Sequence, residues 1–190
     1  EREAIQTAFN QTYGNGNANT LQNKLSSTLK GDDLDKAKQL VKDGQVSDEL
    51  TLKMSMNTGL FGMFTDDKAV NKVLAGKSKD EIDKLKKSYS DLYHKDLEAE
   101  LTSRTGGDAG FEVRENLKGK PTTPEEMVER ANERYQHQRS GGVRKFFVDT
   151  FGGEAGKDLD RQNQKLNSTY NQYEADKRDG KGTQEHETEL

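Results

Sequence analysis

The sequence has no cysteine, only two prolines and no long apolar run. Without cysteine there is no disulfide, no thiolate nucleophile and no cysteine-based zinc site, a composition that fits a bacterial or cytosolic protein. No segment approaches the roughly 18 apolar residues of a membrane-spanning helix. An excess of one charge is missing too. Thirty Lys and Arg stand against 34 Asp and Glu, a net −4, with the signs interspersed, so no basic stripe marks a nucleic-acid surface. The start, EREAIQTAF, carries neither an initiator Met nor the apolar core of a signal peptide, and reads as a piece of a longer protein. No paired-carboxylate, nucleophile-elbow or phosphate-loop pattern is present, and His94, His137 and His186 are scattered; the chain reads as no enzyme.

Hydrophobic residues make up 29% of the 190 residues and charged ones 34%, a mixture near that of chains unable to bury enough apolar surface to fold. Periodicity has to decide, and it is helical. Ile5, Ala8, Phe9 and Tyr13 share a face, as do Leu21, Leu25 and Leu29. Asp32 or Asp33 suits the cap of a helix carrying Leu34, Ala37, Leu40 and Val41 that stops at Gly44. Ser47 suits the cap of a segment with Leu50, Leu52, Met54 and Met56, whose alternation fits a strand as well; the reading here is helix. Thr65 is the expected cap of the helix of Ala69, Val70, Val73 and Leu74. Ser78 and Glu81 form a capping box ahead of the stripe Ile82, Leu85, Tyr89, Leu92 and Tyr93.

Leu97 and Leu101 occupy a short helix ending at Gly106-Gly107, and Phe111, Val113 and Leu117 another, closed by Gly119. Thr123, Pro124 and Glu126 open a helix to about Gln138. Then come VRKFFVDTF, a long polar helix with Leu159, Leu166, Tyr170 and Tyr173, and a tail at 179–190 whose composition predicts disorder.

Two blocks align. Ile5, Phe9 and Tyr13 match Leu85, Tyr89 and Tyr93; after a small insertion around Asn15-Gly16-Asn17, Leu21, Leu25, Gly31 and Asp32 match Leu97, Leu101, Gly107 and Asp108. The run TDDKAVNKVLAGKSKDEIDKLKKSYSDLYHKDLEAELTSRTGG, Thr65 to Gly107, resembles the annexin repeat: a Thr-Asp-acid helix start, a Ser-x-x-Glu-Ile helix, a Tyr-x-x-x-Tyr ending and a Leu-rich helix closed by glycine. The resemblance implies an all-α fold of annexin-like helical repeats, short helices packed in right-handed bundles. It divides the chain into a partial repeat at 1–44, a full repeat at 45–120, further helices or a degenerate third repeat at 121–178, and the tail at 179–190.

It also implies calcium-dependent docking on anionic phospholipid. In that pattern the carbonyls of Leu60, Gly62 and Phe64 hold the calcium ion, and an acidic side chain some forty residues later completes the shell of hard oxygens. This sequence departs from the pattern in two places. Phe64 stands where the second glycine belongs, and Arg104, which cannot ligate a cation, stands at the position of the acid. Glu100 and Asp108 are the substitutes within reach.

Two segments pose the same choice between contact and core. Leu60, Phe61, Met63 and Phe64 either insert into a membrane interface or cover the end of a helix bundle short of apolar residues. Arg144, Lys145, Phe146 and Phe147 either form a basic-aromatic lipid contact or pack on a neighbouring helix. The functional expectation is a non-catalytic module that binds a membrane surface or a protein partner, with calcium as the only implied cofactor. The alternative is a structural or protein-interaction part of a larger secreted or injected toxin-like protein. The corresponding locations are the cytoplasm, the membrane periphery, or outside the cell.

Overall fold

The computed structural model describes residues 2–15, 17, 19–59, 62–140 and 153–190, with side chains from 157 onward in the last segment. Among these residues the fold is all-α, with eleven helices, no strand and one isolated bridge between Thr58 and Phe64. The chain divides into two compact units, Glu1–Gly119 and Lys120–Leu190.

The first unit comprises α1 (Arg2–Gly14), α2 (Thr20–Thr28), α3 (Gly31–Asp43), α4 (Asp48–Ser55), α5 (Asp67–Leu74), α6 (Lys79–Tyr93), α7 (Leu97–Arg104) and α8 (Gly107–Leu117). Local chemistry starts several of them. The Ser47 side chain accepts from the Leu50 amide, Ser78 and Glu81 complete their capping box, and Asp96 accepts from Ala99; each cap satisfies an amide that the helix itself leaves unpaired. Two expected caps move. Asp66, not Thr65, accepts from the Ala69 amide and begins α5, and α3 begins at Gly31, which leaves Asp32 and Asp33 in its first turn beside the positive end of the dipole.

The segment with strand-like alternation is helical because it is covered on more than one side. Leu50, Leu52 and Met56 are all buried, and α4 packs on α3, α5 and α6. The core joins Leu52 and Met56 of the α4 region to Val70, Leu74, Ile82, Leu85, Tyr89, Leu97, Leu101, Val113 and Leu117. Each such side chain contributes roughly 1.5–3 kcal/mol by leaving water, which is how a chain this polar folds. The α6 stripe is narrower than its sequence pattern: Leu92 is exposed and Tyr93 only partly buried.

The aligned repeat exists in the backbone. Gly31 and Gly107 open α3 and α8 with φ of +58° and +56°, and Leu29 and Thr105, both extended, end α2 and α7 by donating to Leu25 and Leu101. Even the aromatic pair recurs, Phe9 with Tyr13 at 4.9 Å between ring centres and Tyr89 with Tyr93 at 4.8 Å. What differs is cover. Leu85 and Tyr89 are buried, whereas Ile5 is exposed and Phe9 half-buried; α4 packs on α6 and α5 on α8 in the second copy, while in the first α4 reaches α3.

The second unit contains α9 (Pro124–Ser140), α10 (Gly153–Arg178) and α11 (Gln184–Glu189). Here α9 and α10 run antiparallel, joined by Tyr135 to Asp160 (2.8 Å), a reciprocal amide pair between Asn132 and Asn167 (3.1 and 3.0 Å) and Lys177 to Glu125 (3.1 Å). Glu125 holds the Lys177 ammonium above its ordinary range, at about 12. Val128 and Tyr173 are its buried apolar residues among those described. The sequence expectation of a disordered tail is corrected at Gln184–Glu189, which is helical: Thr183 donates to Glu187, and the His186 ring lies 3.0 Å from Asp176.

Candidate functional site

The loop between α4 and α5 is built by its glycines and by a short ladder. Gly59 and Gly62 take positive φ, +74° and +66°, a region where a side chain is strained. Around them Thr58 and Phe64 exchange backbone hydrogen bonds of 2.9 and 3.1 Å, the Thr58 hydroxyl donates to the Phe64 carbonyl, and the Asp66 amide returns the chain to Ser55. The Phe64 ring lies across Gly59, so close that a Cβ there would meet Phe64 Cδ2 at 2.5 Å. At the tip, Met63 is 72% exposed and Phe64 62% exposed.

Met63 and Phe64 thus face solvent on a hydrogen-bonded loop. Leu60 and Phe61 lie outside the described residues, as do Arg144, Lys145, Phe146 and Phe147.

Beneath the loop, Arg104 reaches from the end of α7 to the end of α4, where its Nη1 donates to the Met56 carbonyl at 3.0 Å. Glu100, one turn earlier, accepts from the Tyr89 hydroxyl at 2.7 Å and from Lys95. Burial opposes ionisation of Glu100, but the Lys95 and Tyr89 hydrogen bonds and the charges of Lys95 and Arg104 outweigh it and hold the carboxyl below its usual range. The Tyr89 phenol is pushed well up, first by burial and then by the carboxylate it donates to.

The described members of the implied ligand set do not fit a calcium ion. The Phe64 carbonyl, one of the implied ligands, already accepts two hydrogen bonds from Thr58, which occupies both of its lone pairs. Glu100 is engaged by Tyr89 and Lys95, and Asp108 stands exposed in the first turn of α8. Among the described residues no three His, Cys, Asp or Glu side chains gather where they could hold a metal. The resemblance put Arg104 at the position of the acid; its Met56 bond and the Thr58–Phe64 ladder were not legible, although two glycines between residues six apart are a turn signal.

Residues 53–110 match the family model for annexins. No curated protein matches the chain. Among solved structures, chicken annexin V in complex with Zn2+ is similar at 20% identity and a TM-score of 0.42, over 97% of this chain and 55% of that one. The chain therefore spans about half the length of that structure.

Proposed function

We propose that this chain, of which residues 53–110 match the annexin family model, is a non-catalytic module that docks on anionic phospholipid through the α4–α5 loop. The observation that carries the reading is the exposure of Met63 and Phe64 at the tip of a loop closed by its own hydrogen bonds. Two large apolar side chains held in water gain free energy by entering the headgroup region, and a preformed loop has little ordering entropy left to lose. Lys68, exposed in the first turn of α5, is the cation next along the chain, with Asp66 and Asp67 beside it, so the apolar pair rather than local charge carries the reading.

A second reading, a structural or protein-interaction part of a larger protein, is favoured by Ile5, Tyr13 and Leu40, which the partial repeat leaves exposed. Co-sedimentation separates the two. The chain is expected to pellet with phosphatidylserine-containing vesicles and to stay in solution with phosphatidylcholine alone. If it stays in solution with both, in calcium and in chelator alike, the membrane reading fails and the second one stands.

A further inference from the structure

The pattern this loop resembles calls for a divalent cation; at the end of α4 this chain places a guanidinium instead. The last carbonyls of a helix have no partner within it and lie at the negative end of its dipole. Met56 caps α4, and the Arg104 guanidinium, 48 residues away in sequence, donates to its carbonyl. That is a charge-assisted hydrogen bond placed where a positive charge is most favourable. Arg104 is itself braced: Glu100, on the same helix and anchored to the buried Tyr89, lies within its electrostatic reach.

Above that point the described residues bond locally. Thr58 and Phe64 pair with each other, the Thr58 hydroxyl fills the Phe64 carbonyl, the Gly62 amide donates to Gly59, and the Asn57 side chain donates to Lys53. We propose that the Arg104 guanidinium, bonded to the Met56 carbonyl, is the loop's resident cation and holds the Thr58–Phe64 ladder without metal. Its consequence for membranes rests on the docking function proposed above, and there it makes binding independent of calcium. The structural claim stands apart from that reading.

Amide hydrogen exchange on the full chain, followed at Thr58 and Phe64, tests it with calcium and with chelator. The two amides are expected to exchange at the same rate in both. Arg104→Met keeps the aliphatic stem but removes charge and donors; it is expected to speed exchange at these two amides about tenfold, with Leu85 and Val113 unchanged, and Arg104→Lys to restore part of the protection.

The proposal is overturned if calcium slows exchange in the unaltered chain. It is also overturned if Arg104→Met has no effect, or if that variant speeds the core amides equally. Sedimentation with anionic vesicles only when calcium is present overturns its consequence for membranes. Failure to sediment at all overturns the docking function and leaves the exchange result to decide this one.

Discussion

Replacing Met63 and Phe64 together by serine is expected to weaken binding to anionic vesicles at least a hundredfold and to leave the thermal unfolding of the chain nearly unchanged. Both side chains are mostly in water already, so the fold loses little when they are cut back. At an interface they would each bury enough apolar surface for roughly 1.5–3 kcal/mol; about 3 kcal/mol for the pair already corresponds to a factor of roughly a hundred in affinity. Vesicle titration beside a melting curve checks both halves. A large drop in melting temperature would mean that the two residues support the bundle, and unchanged binding would mean that the contact lies elsewhere.

Gly119→Ala is expected to be the most damaging small substitution in the first unit. Gly119 closes α8 at φ +76°, and a Cβ there would meet the Lys79 backbone nitrogen at 2.4 Å and its Cα at 2.6 Å. Those atoms belong to the first turn of α6, which its capping box fixes in place, so they cannot yield as the end of a flexible side chain would. Backbone strain alone costs about 1 kcal/mol, and displacing α6 from the core raises the loss to roughly 2–4 kcal/mol. Gly76→Ala is the control: its φ is also +76°, but nothing lies within 4 Å of the added carbon, so only the strain remains. Denaturant unfolding of the two variants is expected to differ by the contact with α6. Equal losses would show that the contact contributes nothing.

Much of the repeat was legible because it is written in short-range chemistry. Ser78 and Glu81, Ser47 and Leu50, and the glycines that end α3 and α8 act over three to five residues, and a pattern read along the chain captures interactions of that span. The alignment of Leu25 with Leu101 and Gly31 with Gly107 held for the same reason: both copies make the same turn with the same left-handed glycine. The cap at Asp66 rather than Thr65 is a one-residue choice between adjacent acceptors, decided by which of them reaches the Ala69 amide.

What the sequence left ambiguous depends on who covers whom. Leu92 and Ile5 sit on sound helical stripes yet are exposed, because a stripe states which side is apolar and not whether another helix arrives to cover it. The helix at Gln184–Glu189 rests on polar contacts around Asp176, which composition does not register. Around the loop, the resemblance placed Arg104 opposite, but only the folded chain shows the guanidinium on the Met56 carbonyl and the Phe64 carbonyl filled by Thr58.

The most direct test of a metal-independent apolar contact uses the missing cysteine. Since the chain has none, Met63→Cys introduces a single thiol at the loop tip for an environment-sensitive dye. With phosphatidylserine vesicles in chelator, the account predicts a blue shift and increased intensity as the tip leaves water, unchanged when calcium is added. Emission that stays at its aqueous position until calcium is present, or throughout, would contradict it.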